Sequence, residues 1–211
     1  LDLKGDGTTV IIGPNGSGKT TLLRLLHGTA RLNAGTIDWH QPIETVREAQ
    51  SFVFQRPVML RRSVLDNIAY PQLIRGVAKS DALTEARTWA ERVGLGDMLK
   101  RAATSLSGGE QQKLALARAF ITDPQVVFLD EPCASLDGRA TAEIEAILRD
   151  QKARGTRFIM STHDMGQARR LADEVIFLRG GQVHETALAS DFFDAPQTGA
   201  ARAFLKGDIV E

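Results

Sequence analysis

The chain has 211 residues, 43% of them apolar, which is enough to bury one sizeable core and so to form one domain with an appended subdomain. Lysine plus arginine and aspartate plus glutamate number 26 each, a formal net charge of zero that argues against a non-specific nucleic-acid binder, whose phosphate contacts need a basic excess. No apolar run approaches the roughly 20 residues that span a bilayer, the opening residues do not read as a signal peptide, and the single cysteine, Cys133, has no internal partner.

From the amino end, Thr9–Ile12 reads as a strand covered on both faces, being short and apolar or β-branched. A glycine-rich loop and the helical pattern TLLRLLHG follow it, and Gly35–Trp39 reads as an outlying antiparallel strand. Ser51–Phe54 is a second buried strand. The stretch 57–121 then changes character, with helical periodicity and no convincing strand. Ser63 with Asp66 makes a capping-box-like start, Ser80 reads as the cap of a second helix that Gly94 ends after Val93, and Ser107 opens a third that stops at Asp123-Pro124. Val126–Leu129 and Phe158–Ser161 are further buried strands. Glu174–Leu178, the turn Arg179-Gly180-Gly181-Gln182 and the run from Val183 read as a late hairpin. Strands alternating with helices predict an α/β fold: a parallel-sheet core over 1–56 and 122–211, with a helical subdomain inserted at 57–121.

The polar residues that stand out lie just past the predicted strands: Gly13–Thr20 after the first, Gln55 after the second, Asp130 and Glu131 after the third, His163 after the fourth. Open parallel sheets bind ligands beyond the carboxyl ends of their strands, so one sheet edge receives all four segments. GPNGSGKT at 13–20 matches G-x-x-x-x-G-K-[ST] without deviation. Its glycines let backbone N–H groups converge on phosphate oxygens at a helix N-terminus, Lys19 reaches the β and γ phosphates, and the Thr20 hydroxyl ligates magnesium. VVFLDE at 126–131 is an apolar strand ending in two carboxylates: Asp130 to hold magnesium directly or through water, Glu131 to orient and deprotonate an attacking water. LSGGEQQ at 106–112 is a second glycine-bearing helix start and so a second anion site, although composition alone would be satisfied by an ordinary serine cap. Cys133 reads as a packing residue, since no base accompanies it.

Taken in order, GPNGSGKT, Gln55, LSGGEQQ, VVFLDEP, ASLD at 134–137 and STHD at 161–164 resemble the ATP-binding cassette (ABC) proteins over essentially the whole chain. The set is far more specific than the phosphate loop by itself. The resemblance implies a RecA-like P-loop NTPase core with an inserted helical subdomain, and ATP and Mg2+ as cofactors. It implies that Gly13, Pro14, Asn15, Gly16, Ser17, Gly18, Lys19, Thr20 and Thr21 cradle the nucleotide, and that Thr20, Gln55 and Asp130 attend the metal. Two such chains are expected to pair head to tail, so that Ser107, Gly108 and Gly109 of one close on the γ-phosphate held by the other. His163 would contact that phosphate, Ser135 to Asp137 would cross the interface, and Gln55 would report the catalytic state to the helical subdomain. Relatives also carry an upstream aromatic residue that stacks on adenine. None of the twelve residues before Gly13 is aromatic and the first is Leu1, so the amino-terminal β part is expected to be truncated.

Among ABC proteins, the 52 positions from Gln55 to Ser107 leave room only for a compact subdomain, without heptads or metal-binding cysteines. The expectation is therefore the ATPase of a membrane importer, peripheral on the cytoplasmic face, working with permease subunits and indirectly with a solute-binding protein. The alternatives are a soluble or an exporter-type ABC ATPase. FVFQRPVMLRRSVLDNI at 52–68 and FFDAPQTGAARAFL at 192–205 resemble the cassettes of tungstate importers, with phosphate, molybdate and polar amino-acid importers as alternatives. Val58, Met59 and Leu60 are candidates for the permease contact, and they would serve equally in the subdomain's own core.

Overall fold

The computed structural model describes residues 1–3 and 5–208. β1 (Thr8–Ile12), buried along its whole length, leads through the glycine loop into α1 (Lys19–His27). α2 (Ile43–Glu48) precedes β2 (Gln50–Val53). Three helices follow, α3 (Val64–Ile74), α4 (Lys79–Arg92) and α5 (Gly108–Phe120), before β3 (Val126–Asp130). The chain continues through α6 (Gly138–Ala153), β4 (Arg157–Ser161), α7 (Met165–Leu171) and β5 (Glu174–Arg179). β6 (Gln182–Leu188), α8 (Ala189–Asp194) and α9 (Gly199–Lys206) close it.

The sheet runs β2-β3-β4-β1-β5-β6, parallel throughout except for β6, which turns back on β5 as an antiparallel edge. The five parallel strands carry charge only at their ends, as burial on both faces requires. Because successive strand residues face opposite ways, Val10 and Ile12 join a core with Leu129, Met160, Phe177 and the helices of 64–120. Ile11 joins the opposite core with Leu23 of α1, Phe128, Ile159 and Ile176. Asp130 of β3 stands level with Ser161 of β4, and Ile11 of β1 with that same Ser161, so the carboxyl ends of the central strands form one ledge.

Two expectations are corrected. Gly35–Trp39 forms no strand: it shares a ladder with no described segment, Thr36 Oγ1 instead bonds locally to Asp38 Oδ2 at 3.3 Å, and Trp39 packs onto the core on the Ile11 side. Ser80 does not cap α4. The N–H groups of Asp81 and Ala82 donate to the carbonyl of Ala78, so the helix has already begun at Lys79, and Ser80 Oγ bonds Asp81 Oδ1 instead. The Ser63 and Ser107 starts are as read: Ser63 accepts from the Asp66 N–H, and Ser107 with Glu110 makes a full capping box.

The loop from 58 to 63 is held from beneath by two side chains. Arg118 of α5 donates to the carbonyl of Val58 at 2.9 Å. Asn67, fully buried, accepts from the Leu60 N–H and donates to the carbonyls of Leu60, Arg62 and Ser63. The fold thereby fixes a surface loop in which Val58 is 72% exposed.

Candidate functional site

Gly13 leaves β1 with φ +151°, and a Cβ there would lie 1.9 Å from the carbonyl oxygen of Leu178. Only glycine lets the loop pass so close to β5. Gly16 and Gly18 also have positive φ, and Gly18 is the residue before the first turn of α1. The loop thus curls over the helix start, whose free N–H groups and dipole favour an anion. The Lys19 side chain folds back along it, Nζ donating to the carbonyls of Gly13 at 2.9 Å and Pro14 at 3.1 Å. Burial lowers the Lys19 pKa, while the Glu131 and Asp130 carboxylates oppose that shift. Ser17 Oγ is buried in the same loop with no hydrogen-bond partner.

The two carboxylates that end β3 part company. Asp130 is buried, and its Oδ1 accepts from the hydroxyls of Thr20 and Ser161, each at 2.8 Å. Glu131 takes a left-handed backbone, φ +46°, with its N–H donating to the Ser161 carbonyl at 3.2 Å and hydroxyl at 3.1 Å. Its side chain is 16% exposed, and Oε2 accepts from Gln55 Nε2 at 3.2 Å and lies 3.0 Å from His163 Nδ1. Residues from the ends of β1, β2, β3 and β4 therefore meet at one place. Beside them Thr20, Arg24, Phe54, Gln55, Arg56, Val58 and Asp130 line an open cleft of about 330 Å3. The motif STHD contains Ser161 but by itself gives it no task. Its place depends on β4 lying next to β3, which no local pattern announces.

Ser107 to Gly109 stand apart. They open α5 at an exposed end, Ser107 engaged in its capping box with Glu110, and no hydrogen bond among the described residues joins them to Gly13–Thr20. They lie instead beside the start of α6, which Asp137 caps by accepting from the Ala140 N–H at 2.7 Å. A Cβ on Gly109 would come within 3.1 Å of the Ala140 Cβ. Ser135, at φ +63°, and Asp137 are exposed there. Cys133 packs half-buried against the core, and burial pushes its thiol up to about 11, which suits a packing residue.

The family model described as ABC transporter matches residues 1–134. A phosphate import ATP-binding protein of Natronomonas pharaonis is 38% identical over 225 residues, spanning 96% of this chain and 78% of that protein. A tungstate uptake system ATP-binding protein of Peptoclostridium acidaminophilum is 40% identical over 196 residues, spanning 92% and 90%. Among solved structures, a dimeric ATP-binding cassette in a post-hydrolysis state with ADP and Pi matches at a TM-score of 0.78 and 25% identity, covering 90% of this chain and 88% of that one.

Proposed function

The chain belongs to the ABC transporter family, as an importer-type ATP-binding and ATP-hydrolysing subunit with the α/β P-loop NTPase fold, and on that premise we propose how its residues share the work and which solute it serves. One observation carries the division of labour: Asp130 and Glu131, adjacent in sequence, sit in separate hydrogen-bond networks. The backbone of Gly13–Thr21 and the Lys19 ammonium bind the phosphates, with Lys19 exchanging its loop carbonyls for β and γ oxygens. The residues suit Mg2+. No group of three or more histidine, cysteine or carboxylate side chains that could hold a metal exists among the described residues, and magnesium typically takes one or two carboxylates, a hydroxyl or waters, and the nucleotide's own phosphates. Thr20 and Asp130 are that hydroxyl and carboxylate, and Gln55 lies near them in the cleft. Bound there, the ion would neutralise charge developing on the phosphates.

Glu131 then orients the attacking water and takes its proton, held in place by Gln55 and His163 through its Oε2. His163, exposed on its other side, contacts the γ-phosphate. Ser107, Gly108 and Gly109 form the lid of a nucleotide held by a second copy, the two chains pairing head to tail. The exposure of Ser107 and Gly108, and the separation of all three from this chain's own loop, support that reading. The core is 1–56 and 122–211, and 57–121 is a subdomain that follows Gln55. The hydrogen-bonded loop 58–63 presents Val58, with Met59 and Leu60 half-buried behind it, to a permease at the cytoplasmic face of the membrane. The solute is tungstate or a related oxyanion, delivered by a binding protein. The two similar import proteins named above, for phosphate and for tungstate, support the oxyanion class.

The test has two arms. A Ser107→Arg chain and a Lys19→Ala chain, each inactive by itself, regain ATPase activity when mixed, because one composite site is then whole. Mixtures that stay inactive refute the head-to-tail pairing. In the second arm, the genomic partner binding protein is titrated with tungstate, molybdate, phosphate and glutamate. Tight binding of glutamate with none of tungstate refutes the solute.

A further inference from the structure

α6, capped by Asp137, carries two carboxylates two positions apart, Glu143 and Glu145. At 3.6 residues per turn they leave the helix about 200° apart, on opposite flanks. Glu143 Oε2 accepts from Lys113 Nζ of α5 at 2.9 Å, while its Oε1 accepts from Arg139 Nε at 3.0 Å. Glu145 is buried and receives a two-pronged contact from Arg170 of α7, Nε at 2.8 Å and Nη2 at 2.7 Å. Such a fork fixes orientation as well as distance. The helix held on the first flank is capped by Ser107. The helix held on the second is capped by Asp164, the residue after His163. At their amino ends α5 and α6 are already in contact, Gly109 leaving room for Ala140 and nothing more.

We propose that Lys113, Glu143, Glu145 and Arg170 are positioning residues that make α6 a strut, holding Ser107–Gly109, Ser135–Asp137 and His163 in one arrangement so that the segments offered to a second copy arrive there together. The inference rests on the head-to-tail pairing. The Lys113–Glu143 pair is only partly buried, and pairs of that kind add little to stability, so its consequence is geometric.

The test measures kcat and, separately, equilibrium binding of an ATP analogue to the full chain. Lys113→Met lowers kcat about tenfold or more, as displacement of a site segment does, and leaves the affinity of the unpaired chain for nucleotide unchanged, because its own Gly13–Thr20 lies on neither α5 nor α6. The charge-exchanged pair K113E with E143K restores kcat. Arg170→Lys keeps the charge, loses the fork and lowers kcat in the same selective way. Wild-type kcat in both Lys113→Met and Arg170→Lys overturns the strut, as does a loss that falls equally on affinity or is not restored by the exchange. If the Ser107 and Lys19 variants complement and these variants behave as wild type, the pairing stands and the strut alone is refuted. If they do not complement, both are.

Discussion

Replacing Glu131 by Gln separates chemistry from structure. The amide keeps the size and shape of the carboxylate, so it can still accept from Gln55 Nε2, now at 3.2 Å from Oε2, and still face His163 Nδ1. Hydrogen bonds to a charged group are worth about 1.5–3 kcal/mol and neutral ones about 0.5–1.5, and partial exposure of this side chain lets water offset part of the difference. Folding stability should therefore move by about 1 kcal/mol or less. Turnover behaves differently, because an amide does not take a proton. Positioned base catalysis typically contributes 10² to 10⁴ in rate, about 3–5 kcal/mol of barrier. Phosphate release at saturating ATP should fall by that factor, with nucleotide affinity held within about twofold, since the phosphate loop and Asp130 are untouched. The assay pairs steady-state phosphate release with equilibrium binding and a thermal melt. Turnover within about threefold of wild type, or a melt that falls as steeply as the rate, would refute the assignment of Glu131 as the base.

Gly13 and Gly16 both have positive φ, yet a Cβ at Gly13 meets the Leu178 carbonyl at 1.9 Å while one at Gly16 meets nothing within 4 Å. Gly13→Ala should cost at least about 3 kcal/mol against about 1–2 for Gly16→Ala, and denaturant midpoints in the reverse order would contradict the close approach of the loop to β5. Asn67→Ala strips four hydrogen bonds from the 60–63 backbone, which should lower stability by about 3 kcal/mol and speed native-state tryptic cleavage after Arg61 or Arg62. An unchanged cleavage rate would mean that the loop is held by something other than Asn67.

The parallel strands were legible because burial on both faces leaves a short uncharged run with few other readings, and the observed ends differ from the expected ones by about one residue. Gly35–Trp39 was misread because an exposed strand depends on a neighbour, and a neighbour is a property of the fold rather than of the segment. Ser80 was misread because a serine inside the first turn and a serine in front of it look alike until the N–H partners are known. α2, at 43–48, has no buried residue, and its six positions are too few for a helical period to show. The candidate site residues stand out in a different way. Lys19, Thr20, Asp130 and Glu131 sit in motifs whose spacing the chemistry dictates, whereas Ser161, Arg118, Glu143 and Glu145 act through partners 30 or more positions away or on another element.

The left-handed backbone at Glu131 joins these two kinds of information. A strand that simply continued would send successive side chains to opposite faces of the sheet, burying one of the two carboxylates in an apolar layer. Instead the chain turns at Glu131 at φ +46°, and the N–H is caught by both the carbonyl and the hydroxyl of Ser161. A non-glycine residue in that region costs of order 1–3 kcal/mol unless its surroundings hold it, and β4 supplies the two acceptors that do so. Ser161 Oγ in turn donates to Asp130 Oδ1, so one side chain fixes both carboxylates in their diverging directions. The strand-end carboxylates face two ways because their backbone is bent between them, and the bend is held by a residue thirty positions further along the chain.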